Sequence, residues 1–158
     1  MAYKDYHIDG WRFSFPRAWP MSLDEGQRPP QHIFEVPEEP VTVYVSVWNF
    51  RRPGTGEAAD AETVRSLMAQ ALDQQGGRVL EGVEDCCPPG LLLCVGQSDT
   101  TDGYEMTSCF LCAEGGALSV YFVCGKGADV ERYLPCLKRV ERAPSRSGPP
   151  LYPQNTEK

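Results

Sequence analysis

The chain is short of the residues on which many enzymes and metal sites depend. It has two histidines, His7 and His32, in 158 residues. A thiol nucleophile needs a general base nearby, so Cys–His chemistry would have to use one of these two. Basic residues are outnumbered, 15 against 22 acidic ones, for a net charge of −7 at pH 7. A phosphate-rich partner needs a basic face, so this balance argues against nucleic acid and anionic membranes. Long hydrophobic runs are missing as well. The strongly apolar stretches are of strand length, which argues against a spanning helix. The opening "MAYKDYHIDG" has no basic segment, apolar segment or lipobox cysteine, so the expected compartment is the cytoplasm. No internal repeat is visible.

Cysteine is abundant: seven residues, an odd number. In a reducing compartment such thiols behave as small hydrophobes. The run "CFLC" (Cys109 to Cys112) has the spacing of zinc knuckles and redox dithiols, but it lies within a strand pattern. Residues three apart on a strand point to opposite faces, so Cys109 and Cys112 should neither share a metal nor form a disulfide. Cys86 and Cys87 are adjacent rather than two apart, a poor start for a zinc site. No metal, cofactor or catalytic residue is expected.

Two hairpins open the chain. Asp9-Gly10 suits a type I′ turn and pairs Ile8 with Trp11, Tyr6 with Phe13 and Lys4 with Phe15. Tyr6, Ile8, Trp11, Phe13 and Phe15 then share a core face, with His7, Arg12 and Ser14 opposite. "FPRAWP" ends the strand, and Trp19 should fold back onto the core edge. "SLDEGQRPPQ" reads as loop. In "HIFEVPEEPVTVYVSVWNF", pairing Val36 with Val41 collects Phe34, Val36, Val41, Val43, Val45 and Val47 on one face. The other face carries Ile33, Tyr44, Trp48 and Phe50. A sheet apolar on both faces is normally covered on both, and helices are the expected cover.

"DAETVRSLMAQALDQQGG" is the clearest helix, capped by Asp60 and ended by Gly76-Gly77. Strands follow at about 78–83, 91–97, 104–113 and 117–124. "EGG" is expected to be a three-residue loop with Gly116 left-handed, pairing Ala113 with Ala117 and Phe110 with Val120. That register groups Cys112 with Met106, Phe110, Val120 and Phe122, and Cys109 with Leu111 and Tyr121. "ADVERYLPCLKRVERA" has helical spacing interrupted by Pro135, predicting a kink or two short pieces. From Pro144 to Lys158 the chain is rich in Pro and Ser without periodicity, a tail outside a single domain of residues 1–143. The order of strands and helices predicts an α+β fold: a twisted antiparallel sheet of about seven strands with two principal helices on its faces.

That order, with Phe13, Phe15, Pro16 and Trp19 forming F-x-F-P-x-x-W, resembles the Mog1/PsbP-like fold group over residues 3 to 143. This group includes bacterial DcrB-like and Eag-type proteins and uncharacterised bacterial domains. The resemblance implies a binding or assembly protein and no shared catalytic set. It transfers no Ran-binding residues, and fold alone fixes no function.

Other polar groupings have simple explanations. Glu38-Glu39 and Glu84-Asp85 fall in turns, where solvated charge is ordinary. "RPGTG" (Arg52 to Gly56) lacks the Walker lysine and reads as linker. The candidate site is a surface: Tyr44, Trp48 and Phe50 on one sheet face, followed by Arg51 and Arg52. Aromatics and arginine are enriched at protein interfaces. The leading expectation is a non-enzymatic module that docks a protein partner as an adaptor, chaperone or immunity-type protein. A small-molecule carrier with an apolar pocket between the 60–75 helix and the sheet is the alternative, and a cysteine enzyme comes third.

Overall fold

The structure, a computed structural model, describes residues 2–143. The tail from Pro144 to Lys158 lies outside the described residues. Strands β1 (Tyr3–Ile8) and β2 (Trp11–Pro16) form the first hairpin in the expected register, Ile8 opposite Trp11 and Tyr6 opposite Phe13. Asp9 and Gly10 both take positive φ, 47° and 86°, as a type I′ turn requires. Next come β3 (Met21–Asp24), β4 (Gln31–Glu35), β5 (Val41–Asn49) and helix α1 (Ala61–Gln74). The chain then forms β6 (Arg78–Val79), β7 (Leu92–Asp99), β8 (Glu105–Ala113), β9 (Gly116–Cys124) and β10 (Glu141–Arg142).

The fold is α+β. A seven-stranded antiparallel sheet runs in the order β3-β4-β5-β9-β8-β7-β6, beside a second sheet ordered β1-β2-β10. The first hairpin is therefore not part of the main sheet. It lies across the valine face, where Phe13, Phe15 and Phe34 meet edge to face within a cluster that includes Val43, Val45 and Val47. The helical turns near the C-terminus share this cluster through Val130, Leu134 and Leu137, so hairpin and turns cover the valine face together and one main helix lies on the opposite face. That helix is as expected: the Asp60 carboxylate accepts from Thr63 N at 2.7 Å, and Val64, Met68 and Leu72 are buried.

Local corrections follow from tertiary pairing. "SLDEGQRPPQ" is not wholly loop, because Met21–Asp24 adds an edge strand to β4. The strand expected over 78–83 stops at Val79. Gly82 is left-handed, and a 3₁₀ turn occupies Glu84–Cys86. The stretch around Pro135 forms two 3₁₀ segments, Val130–Arg132 and Leu134–Arg139, instead of a second principal helix. Proline lacks the donor that an α-helix needs there.

The β8–β9 turn has two residues, not three. Gly115 is the left-handed glycine, with φ 76°, and Ala113 pairs with Gly116, Phe110 with Ser119 and Cys109 with Val120. The one-residue slip exchanges partners. Leu111, Cys109, Leu118, Val120 and Phe122 face the first sheet, whereas Phe110, Cys112 and Ala117 face α1. The apolar stripes lie on opposite faces because both faces are covered, and a strand buried on both sides carries no single-face signal.

Candidate functional site

The open face of the main sheet is set by where α1 lies. The helix packs on β7 and β8 and reaches the margin of β9. Its Val64, Met68 and Leu72 rest directly on Phe110, Cys112 and Ala117. The fit is so close at Gly96 that an added Cβ would stand 2.9 Å from Leu72 Cδ1. The expected carrier pocket between this helix and the sheet is thus replaced by packed side chains. A cavity of about 620 Å³ exists elsewhere, beside Trp19 and Tyr133 on the side of the first hairpin.

Beyond the helix, the same face continues over β9, β5 and β4. Tyr44 pairs with Tyr121 across β5 and β9 and with Ile33 across β5 and β4. Ile33, Tyr44, Trp48, Tyr121 and Val123 alternate outward on this surface and are half-buried. The aromatics are held from beneath. Trp48 Nε1 donates to Ser119 Oγ at 3.0 Å, and Ser119 Oγ donates to the Ser46 carbonyl at 3.3 Å. Ser46 Oγ donates to the Pro30 carbonyl at 3.1 Å. Tyr121 stands edge-on to Phe110, with ring centres 5.8 Å apart, at the seam between covered and open halves. Burial raises the Tyr121 phenol above its ordinary value.

The structure brings together part of the sequence-based site. Tyr44 and Trp48 share the open face. Phe50 does not, because it turns under α1 and packs with the cluster containing Ala59 and Val64. The strand has ended by then, and Phe50 N donates to the Gly115 carbonyl. Arg51 and Arg52 are exposed at one end of β5. Arg51 Nη1 donates to the Gly56 carbonyl at 2.9 Å, and Arg52 N donates to the Glu57 carbonyl at 2.7 Å, so their loop closes on itself. Tyr121, Ile33 and Val123 were missed as site residues. Ile33 was expected on the Tyr44 face, whereas the pairing of β9 with β5 brings Tyr121 and Val123 there.

Every thiol is buried or partly covered. All seven thiols are pushed above the ordinary cysteine value, each chiefly by burial. Cys112 reaches about 12 and Cys124 about 11. His7 is exposed opposite Arg12. His32 lies opposite Val45, with Nδ1 buried and unbonded. Among the described residues no group of three or more His, Cys, Asp or Glu side chains is disposed to hold a metal. No helix among them is long and apolar enough to cross a membrane. Glu39 is more than a solvated turn charge: it accepts from Tyr133 Oη at 2.7 Å and from Arg132 Nη1 at 2.9 Å.

Known proteins add a likeness of fold. No protein family matches the chain, and no curated protein matches it either. A crystal structure from Bacteroides thetaiotaomicron VPI-5482, determined at 1.50 Å, is similar with a TM-score of 0.64 and 12% sequence identity. The similarity covers 91% of this chain and 50% of that one. The chain therefore spans half the length of the protein it resembles. At that identity the likeness speaks for fold alone.

Proposed function

We propose that this chain is a non-catalytic protein-binding module whose partner docks on the half of the sheet that α1 leaves open. The supporting observation is the set of Tyr44, Trp48 and Tyr121 aligned across two strands, Trp48 held by Ser119 and Tyr121 by Phe110, with α1 resting on β7 and β8 and no helix over β5 among the described residues. Aromatic side chains that are already ordered lose little entropy on binding and supply large contact areas. Arg51 and Arg52 at the end of the face favour a partner that brings apolar side chains to the aromatics and carboxylates to its margin. The Mog1/PsbP-like resemblance of Phe13, Phe15, Pro16 and Trp19, with its bacterial binding and assembly proteins, belongs to the same reading. So do the cytoplasmic setting and the absence of a nucleic-acid partner, which the acidic balance favours.

The experiment is site-specific photo-crosslinking in the source cell, with the photoreactive residue at Tyr44 and a control at Glu62 on the outer side of α1. The expected result is a defined adduct from position 44 that disappears with Trp48→Ser and weakens with Arg51→Glu plus Arg52→Glu. Equal adducts from both positions, or an adduct indifferent to Trp48, would overturn the reading.

A further inference from the structure

The cavity beside the first hairpin lies on the opposite side of the main sheet from the Tyr44 face. Its floor is Trp19 and Tyr133, 6% and 7% exposed, with ring centres 5.9 Å apart, and Val36 closes one side. Its volume of about 620 Å³ falls within the range of small-molecule sites. Three of its lining side chains are charged: Arg17, Glu39 and Arg132. Both Glu39 oxygens are engaged, one by Tyr133 and the other by Arg132, so this carboxylate is already neutralised. Arg17 has no ion pair among the described residues. Arg139 has none either, and its guanidinium sits 3.9 Å over the ring of Tyr3, another lining residue. A chain of net charge −7 thus keeps one arginine of this aromatic-floored hollow, Arg17, without an ion pair among the described residues.

We infer that this cavity binds a small amphiphilic carboxylate, with a flat apolar body on Trp19 and Tyr133 and its anion at Arg17. Apolar burial against the two rings supplies the body's share of affinity. The anion completes a charge pair that the protein leaves open, which selects acids over neutral molecules of the same shape. A cationic ligand would meet Arg17, and the lining carboxylate, Glu39, is already engaged. The site is separate from the proposed docking face and stands or falls independently of it.

The three tryptophans make the test direct, because Trp11, Trp19 and Trp48 each give an indole N–H signal in a ¹⁵N–¹H spectrum. The probes are 1-naphthylacetate and its uncharged counterpart 1-naphthylacetamide. With the acid, the Trp19 signal should shift and saturate while the buried Trp11 and the distant Trp48 stay in place. The amide should bind about fivefold more weakly, the order expected from one ion pair at a solvent-facing rim. Arg17→Gln, at an exposed position, should bring the acid down to the affinity of the amide. Ala18→Trp, also exposed and lining the hollow, should abolish binding of both. An unmoved Trp19 signal, equal affinities for acid and amide, or a preference that survives Arg17→Gln would each overturn the inference. A shift confined to Trp48 would overturn it too, placing the probe on the other face.

Discussion

Tyr133 Oη donates to Glu39 Oε1 at 2.7 Å, tying the 3₁₀ region to the β4–β5 turn across 94 positions of chain. The contact sets opposite titration shifts in its two members. Burial, and then the bond to Glu39, raises the Tyr133 phenol to about 12. The Tyr133 bond chiefly, with Arg132 helping, lowers the Glu39 carboxyl below its ordinary value of 4.5. The Tyr133 contribution to stability is complete below pH 10, the unfolded value, and is lost as pH rises through about 12. The Glu39 contribution is complete above pH 4.5 and is lost as pH falls through its lowered folded value. Tyr133→Phe should therefore flatten both limbs of a plot of urea midpoint against pH. A plot unchanged at the alkaline end would contradict this coupling.

His32 supplies a third pH effect in a separate window. Burial lowers its pKa below 6.5, with the Val45 backbone and Asp9 opposing, and its Nδ1 has no hydrogen-bond partner. The unfolded chain then binds a proton more readily than the folded one. Stability from the neutral ring is complete above pH 6.5 and is lost as pH falls from there toward the lower folded value. His32→Phe should reduce the slope of urea midpoint against pH between 7 and 5. Proton NMR titration of His32 with a midpoint at or above 6.5 would refute the assignment.

The two faces of β4 and β5 should respond differently to truncation. Phe34 is fully buried and meets Tyr6, Phe13 and Phe15 edge to face. Phe34→Ala should cost about 3–5 kcal/mol in chemical denaturation, with its cavity included. Tyr44→Ala, on the open face, should cost about 1 kcal/mol, the centre of the range for ordinary substitutions. Comparable losses at both positions would mean that the open face is structural core.

Thiol reactivity should follow burial. Cys109, Cys112 and Cys124 are buried, and the other four cysteines are partly covered. With iodoacetamide at pH 8, peptide mass spectrometry should find the first three protected until denaturant is added. The rest should react more slowly than a free cysteine, because their thiolate fraction is reduced. One thiol reacting faster than free cysteine would reopen nucleophilic chemistry.

Gly116 tests how closely β9 approaches β5. An added Cβ would lie 2.8 Å from the Trp48 carbonyl, a backbone atom with little freedom to yield. Gly116→Ala should cost about 1–3 kcal/mol, as overpacking does, and lower the melting temperature. A neutral result would contradict the close approach of Gly116 to the Trp48 carbonyl.

Elements with a local physical signature were legible before the fold. Asp9-Gly10 specified its turn and the partners of Tyr6 and Phe13. Asp60 and Gly76-Gly77 bounded the helix. The alternation from Phe34 to Val47 placed the valine stripe in the core. Elements specified by distant partners were not legible. Met21–Asp24 is a strand because β4 lies beside it. Glu39 is bonded because Tyr133 arrives from far along the chain. Phe50 looked like Tyr44 and Trp48 in the strand period, yet the path into α1 turns it under the helix.

The candidate site divides in the same way. Ile33, Tyr44 and Trp48 were visible as outward residues of one hairpin, but Tyr121 joins them only through the pairing of β9 with β5. Trp19 was expected at the core edge, but its meeting with Tyr133 at the hollow was a tertiary matter. The separation of Cys109 from Cys112 followed from strand geometry alone, since positions three apart point opposite ways in any register. Which partners each sulfur meets was a tertiary matter. A sheet covered on both faces accepts apolar residues at every position, so hydrophobic pattern cannot choose between registers one residue apart. The left-handed turn at Gly115, with helix on one side and hairpin on the other, made that choice.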